Sequence, residues 1–145
     1  MKILSFFRVS NQAKLLFLEA FVLIAVARIA VRFYPFKRIA SILGDHSKEL
    51  PEHALTLEEK RYFQQFSIAI GRAAQVAFWR TLCYEQALTA KMMLKRRNID
   101  STIYIGMMRK KEDNQLEGHA WLRTGNYIVT GKTDFSKYVI VGVFS

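Results

Sequence analysis

Residues 82–108 read LCYEQALTAKMMLKRRNIDSTIYIGMM, and the character of the chain changes inside them. Up to Arg97 the apolar residues Ala87, Leu88 and Leu94 recur at helical spacing, which predicts a helix starting around Thr81 or Leu82 and running to Arg97. After Asn98, the stretch Ser101–Met108 is rich in β-branched and aromatic residues, the composition of a strand. Glu117–Thr124 (EGHAWLRT) and Tyr127–Thr130 (YIVT) follow, with Gly125-Asn126 between them as a tight hairpin turn. Lys137–Phe144 (KYVIVGVF) is a further strand candidate.

Upstream of this switch everything reads as helix. Thr56 followed three residues later by Glu59 is a capping-box pattern, opening a helix in which Phe63, Phe66, Ile70 and Ala73/Ala74 recur on one side. Asp45–Glu52 is polar and reads as a loop, and Phe36–Leu43 as a short helix that Gly44 closes. Lys14–Val31 is the most apolar stretch. Tyr34-Pro35 ends it, because the residue before proline is pushed out of the α region. Helices first and antiparallel strands second is an α+β plan. A length of 145 residues fits a single domain, 1–145, with residues 1–50 as a helical N-terminal segment and 54–145 as the core.

Composition narrows the function classes. Half the residues are apolar, so a folded body is expected. The net charge of +10 favours acidic partners without choosing among them. The basic residues fall in short clusters (Arg28/Arg32, Lys37/Arg38, Lys95/Arg96/Arg97, Arg109/Lys110/Lys111) that read as solvated faces, with Arg96 and Arg97 assigned to partner binding. No zinc spacing, phosphate-binding glycine loop or aromatic-plus-basic motif supports a nucleic-acid partner. Glu19 and Arg28 interrupt the apolar stretch, which argues against a membrane span. The N-terminus lacks the pattern of a secretory signal and Cys83 is alone, so no disulfide is expected and the cytoplasm is the default. Neither a cofactor nor a metal is expected.

A lone cysteine is usually a small core residue. Cys83, however, falls in the first turn of a predicted helix, where unpaired backbone N–H groups stabilise a thiolate and offer donors to an oxyanion. His119 follows on a predicted strand, in Gly118-His119-Ala120-Trp121. A cysteine at a helix start and a histidine on a later strand are the parts of a thiolate–imidazolium pair. Asp134, the only aspartate after the histidine, is the candidate to orient it, and an asparagine, a glutamate or a backbone carbonyl could serve instead. His46 and His53 lie in the polar loop region and are read as solvent-exposed.

The pieces CYEQALTAKMMLKRRNIDSTIYIG and LEGHAWLRTGNYIVTG, in this order and at this spacing, resemble the small transglutaminase-like leader peptidases of lasso-peptide biosynthesis. The pattern of that family is Cys-Leu-x-x-Ala-Leu, a helix ending in basic residues, Leu-Tyr-Ile/Leu-Gly, Glu-Ala-His-Ala-Trp-Leu and Ile-Val-Thr-Gly. The N-terminal LLFLEAFVLIAVARIAVRFYPFKRI is similar too. The resemblance implies a papain- or transglutaminase-like fold with Cys83 as nucleophile and His119 as base, and no cofactor. It implies cleavage of a precursor peptide's leader in the split arrangement, where a separate leader-recognition protein presents the substrate and a macrolactam-forming cyclase acts downstream. By the same analogy residues 14–31 are the docking surface. This chain departs from the pattern at Tyr84, at Gly118, and at Gly131, where members often carry an acid, so Asp134 depends on how its loop bends. Two other readings use the same residues: a non-catalytic basic binding or scaffold module, and amide exchange instead of hydrolysis.

Overall fold

Ser10 opens the first helix, its hydroxyl accepting the Ala13 N–H at 3.3 Å. The computed structural model describes residues 9–145, so the reading of the N-terminus as no secretory signal falls largely outside the described residues. Helix α1 spans Asn11–Phe33, starting three residues before the expected Lys14 because Ser10 caps it, and ends at Tyr34, ahead of Pro35. Helix α2 is Phe36–Leu43. Gly44 stops it at φ +112°, where a side chain would collide with the Ser145 carbonyl. Helix α3, Leu57–Val76, begins with the expected capping box: Glu59 N–H donates to the Thr56 hydroxyl and Thr56 N–H to the Glu59 carboxylate. Helix α4 is Cys83–Lys95. It ends where Asn98 takes a left-handed φ of 55° and Ile99 N–H returns to the Leu94 carbonyl.

Four strands follow: β1 (Thr102–Arg109), β2 (Leu116–Thr124), β3 (Tyr127–Thr130) and β4 (Val139–Phe144), in the spatial order β3-β2-β1-β4 with every pairing antiparallel. The α+β plan is the observed one. β4 begins two residues later than the KYVIVGVF run suggests, because Phe135–Lys137 form a 3₁₀ turn capped by Asp134.

The core lies where the helices meet each other and the sheet. Leu16, Ala20, Ile24 and Ala27 form the buried stripe of α1; Phe66, Ile70 and Ala73 come from α3, Leu88 and Met93 from α4, and Ile103, Leu122 and Phe144 from the sheet. Among the described residues no helix is long and apolar enough to cross a membrane.

Ion pairs of Arg28 and Glu19 tie α1 to α4 and to the turn after it, and at Arg28 and Arg97 they correct the reading of the basic clusters as solvated faces; the other residues of those clusters are exposed, as expected. Arg97, assigned to partner binding, donates to both Glu19 carboxylate oxygens, at 3.0 and 2.7 Å, and lies 5.1 Å over the Phe66 ring. Arg28 donates at 2.9 Å to Glu85, whose side chain is fully buried. Removing one partner of such a pair strands a buried charge, which typically costs 3–5 kcal/mol, with less expected here because Arg28 is partly exposed. Arg28→Ala is therefore expected to lower stability by about 2–3 kcal/mol. Adding Glu85→Gln should recover part of the loss. Urea unfolding midpoints measure both; an unchanged midpoint in Arg28→Ala would mean that the pair stabilises nothing.

Candidate active site

Cys83 is the first residue of α4 and is half-buried. Leu82 precedes it in extended conformation, and its N–H is taken by the Glu85 carboxylate at 3.2 Å. Gln86 N–H makes the first bond back to the Leu82 carbonyl, so the amides of Cys83, Tyr84 and Glu85 lie ahead of the helical ladder. Those amides are the donors that a developing oxyanion needs. Glu85 puts a carboxylate among them, and the Arg28 guanidinium offsets its charge.

The flanks of Cys83 are aromatic. Trp79 packs on Phe21 of α1 with ring centroids 5.8 Å apart, and Tyr84 on Phe36 of α2 at 6.3 Å. Burial pushes the Tyr84 phenol up to about 12, so it stays protonated. Neither its hydroxyl nor the Trp79 indole N–H has a hydrogen-bond partner among the described residues.

His119 stands on β2 directly opposite Gly106 of β1. A Cβ on Gly106 would lie 2.8 Å from the Tyr138 Cβ and 2.9 Å from the Trp121 ring, so the missing side chain lets both aromatics approach the histidine. The His119 ring stacks on Trp121 at 5.9 Å and meets Tyr138 at 5.3 Å.

His119 Nε2 lies 2.7 Å from the Gly131 carbonyl oxygen. A carbonyl only accepts, so Nε2 carries the proton and the neutral ring keeps its lone pair on Nδ1. Gly131 has φ +75°, and a Cβ there would collide with the Ala120 carbonyl and sit 2.9 Å from the Trp121 Cα. Only glycine fits, and the conformation it allows brings the carbonyl to the imidazole.

The Tyr138 ring packs on His119, and its phenol is raised by burial first and then by Glu117 and Cys83. No direct hydrogen bond joins Cys83 to His119 among the described residues; in resting enzymes such bonds are often loose and tighten on substrate.

Asp134 does not meet the histidine. Its carboxylate takes the Ser136 N–H and hydroxyl at 3.2 and 2.6 Å and caps the 3₁₀ turn, while the Gly131 carbonyl holds the place next to His119. Its carboxyl is lowered by these Ser136 bonds and by Lys137, local causes throughout. Asp134→Ala is accordingly expected to change the rate of any Cys83-dependent reaction by less than about threefold, since substitutions away from buried networks have small effects. A loss of tenfold or more in single-turnover assays would restore the aspartate to the site. His46 and His53 are exposed, with the His46 ring against Phe144.

Sequence reasoning did not find Gly106, Gly131 and Tyr138 beside His119, nor Glu85 beside Cys83. The available signals were a glycine where the resembling family often carries an acid and an acidic residue three positions beyond Leu82.

A family model described as the transglutaminase-like superfamily matches residues 30–141, more than half of the chain, and spans both Cys83 and His119. The chain belongs to the transglutaminase-like superfamily. Comparisons with curated proteins and with solved structures return no match. In this transglutaminase-like chain the helix that begins at Cys83 packs against β2 and β3, the strands that carry His119 and lead to Gly131. Such domains are typically cysteine proteases or acyl transferases. The matched segment starts inside α1 and ends inside β4, so it covers the site and most of the sheet but only the last turn of α1.

Proposed function

We propose that this chain is a cysteine peptidase that removes the leader from a lasso-peptide precursor. The observation that carries the reading is the Nε2–H to Gly131 carbonyl bond at 2.7 Å, which leaves Nδ1 free to take the thiol proton of Cys83.

The chemistry is acyl transfer in two stages. Nδ1 takes the Cys83 proton, and the thiolate adds to the last carbonyl of the leader. The oxyanion is received by the free amides at the start of α4. As the C–N bond breaks, the imidazolium returns its proton to the departing amine of the core peptide, leaving a thioester. Water then adds to the thioester with Nδ1 as base, and Cys83 leaves as thiolate. Throughout, the Gly131 carbonyl stabilises the ring whenever it is charged.

The partners in this reading are a separate leader-binding protein, which presents the precursor, and a macrolactam-forming cyclase that takes the product. Leu15, Leu18, Val22, Val26, Ile29 and Phe33 recur every three or four residues along α1 and are each 46–72 % exposed, and this stripe is the surface we assign to the leader-binding protein. Leu16 and Ile24 of the same helix are buried in the core and are not part of this stripe. Replacing Leu18, Val22 and Ile29 by serine should weaken co-purification with that partner and leave the circular dichroism spectrum unchanged. The single unpaired cysteine suits a reducing compartment, the cytoplasm.

The test of function is direct. The chain, a lasso-peptide precursor and its leader-binding protein are incubated together, and the products are read by mass. Separate leader and core fragments are expected; an intact precursor alongside an alkylatable Cys83 would sink the substrate assignment, and a product joined to an amine would indicate exchange instead of hydrolysis.

A further inference from the structure

The outer edge of β4 is half covered. Towards its end the chain closes the edge itself: Ser47 N–H donates to the Val143 carbonyl at 2.8 Å, Asp45 N–H to the Ser145 carbonyl at 2.7 Å, and Ser145 N–H to the Asp45 carbonyl at 3.2 Å, around a His46–Phe144 bridge. Along Val139–Gly142 no strand lies beyond β4 among the described residues. This open part presents Val139, Ile140 and Val141 at 70, 50 and 59 % exposure.

Open edges are normally blunted by charge, proline or a bulge. VIVGVF contains no charge and no proline, and a register shift opposite Ile105/Gly106 is the one such device present. An apolar edge with unpaired backbone groups is the feature to which an extended peptide adds as a further strand. The Asp45–Ser47 segment already pairs with this edge in that manner.

The register connects this edge to the histidine. Ile140 faces Gly106 on β1, and Gly106 faces His119 on β2. Neighbouring strands lie about 4.8 Å apart, so a strand added outside Ile140 runs about 14 Å from His119. At about 3.3 Å per extended residue, four residues cover that distance. Tyr138, next in the chain to Val139, already packs on the imidazole, so the edge leads into the site without a break.

We propose that the Val139–Val141 edge binds the substrate as an added strand, pairing with an extended peptide segment about four residues from the bond that Cys83 attacks. This deepens the peptidase reading and rests on it. Affinity comes from main-chain hydrogen bonds and the apolar side chains of β4, so the site selects extended, β-prone segments more than one fixed sequence.

The test uses the full chain and a peptidyl chloromethyl ketone, from which Cys83 Sγ displaces chloride. The reagent is acetyl-Thr-Val-Thr-Val joined through Gly-Ser-Gly-Ser to the reactive group, and the reference is the Gly-Ser-Gly-Ser reagent alone. Alkylation is expected at least tenfold faster with the pairing segment. N-methylation of that segment's amides, which removes its donors and keeps its side chains, should return the rate to the reference value. Ile140→Pro should bring the rates of the two reagents together; if that variant fails to fold, the N-methylated reagent decides alone. Equal rates for the methylated and unmethylated reagents overturn the proposal. A dimer that Ile140→Pro dissociates overturns it too, because the edge then belongs to a second copy. Failure of the peptidase reading appears separately, as a Cys83 inert to every reagent. Fluorescence anisotropy of the labelled segment on Cys83→Ala, with the N-methylated segment as control, then decides the strand question without chemistry.

Discussion

Cys83→Ala is expected to lose turnover by about 10⁴-fold or more while melting within a few degrees of the native chain. The large effect follows from removing the atom that forms the covalent intermediate; losses of this order accompany the deletion of a nucleophile or its base. The small effect on stability follows from position. Cys83 is half-buried at the first position of α4, alanine is a good helix former, and exchange of the thiol for a methyl opens little space. His119→Ala should cost as much as the cysteine change, and the double variant should be no worse than either, because the two act as a unit. Single-turnover cleavage and a thermal melt make the measurement. Residual activity within tenfold of the native chain would leave Cys83 as a packing residue and favour the binding-module reading.

The second large effect is expected at Gly131. Gly131→Ala puts a side chain into the Ala120 carbonyl and close to the Trp121 backbone, at a φ of +75° that costs a non-glycine residue about 1–3 kcal/mol. The loop must move, and with it the carbonyl that takes the Nε2 proton of His119. Without that acceptor the ring samples the tautomer with its proton on Nδ1, which cannot accept from the thiol. The expected result is a fall in kcat on the order of 10³-fold, by comparison with the cost of a wrong tautomer in serine proteases. KM should change little, since no substrate contact is removed. The two-nitrogen NMR spectrum of His119 gives the independent readout: the native chain should show the Nε2–H form, and the variant a mixture. Retention of the Nε2–H form together with full activity would mean that the Gly131 carbonyl has no part in orienting the base.

What could be read from the sequence, and what could not, follows the range of each interaction. The Thr56–Glu59 box, the stop at Tyr34-Pro35 and the Gly125-Asn126 hairpin are short-range devices, complete within a few residues, and each appears where its pattern stands. The helix beginning at Cys83 and the strand carrying His119 follow from periodicity in the same way. Arg28 and Glu85 are 57 residues apart, and nothing local marks either as the other's partner. On an apolar helix an arginine reads as a solvent-facing interruption; only the packing of α1 on α4 reveals the buried carboxylate it meets. The acceptor beside His119 was hidden for a different reason. Every residue has a carbonyl, so a search among side chains settles on the one aspartate downstream, Asp134, which the structure gives to Ser136. The left-handed glycine was the available clue, because a glycine in place of an acid removes a side chain and leaves its backbone to act.

Helix α1 has a consequence for how the chain can be divided. The stretch common to the superfamily begins at residue 30, yet Leu16, Ala20, Ile24 and Ala27 fill the core, Arg28 holds the helix that begins at Cys83, and Glu19 holds the turn after it. A cut placed at the family boundary would not release an autonomous catalytic unit. It would open the interior to water along several helical turns and remove the guanidinium that Glu85 meets. Limited proteolysis should therefore spare the peptide bonds between Leu16 and Ala27 until the whole fold opens, and a chain begun at residue 30 should be recovered as insoluble protein.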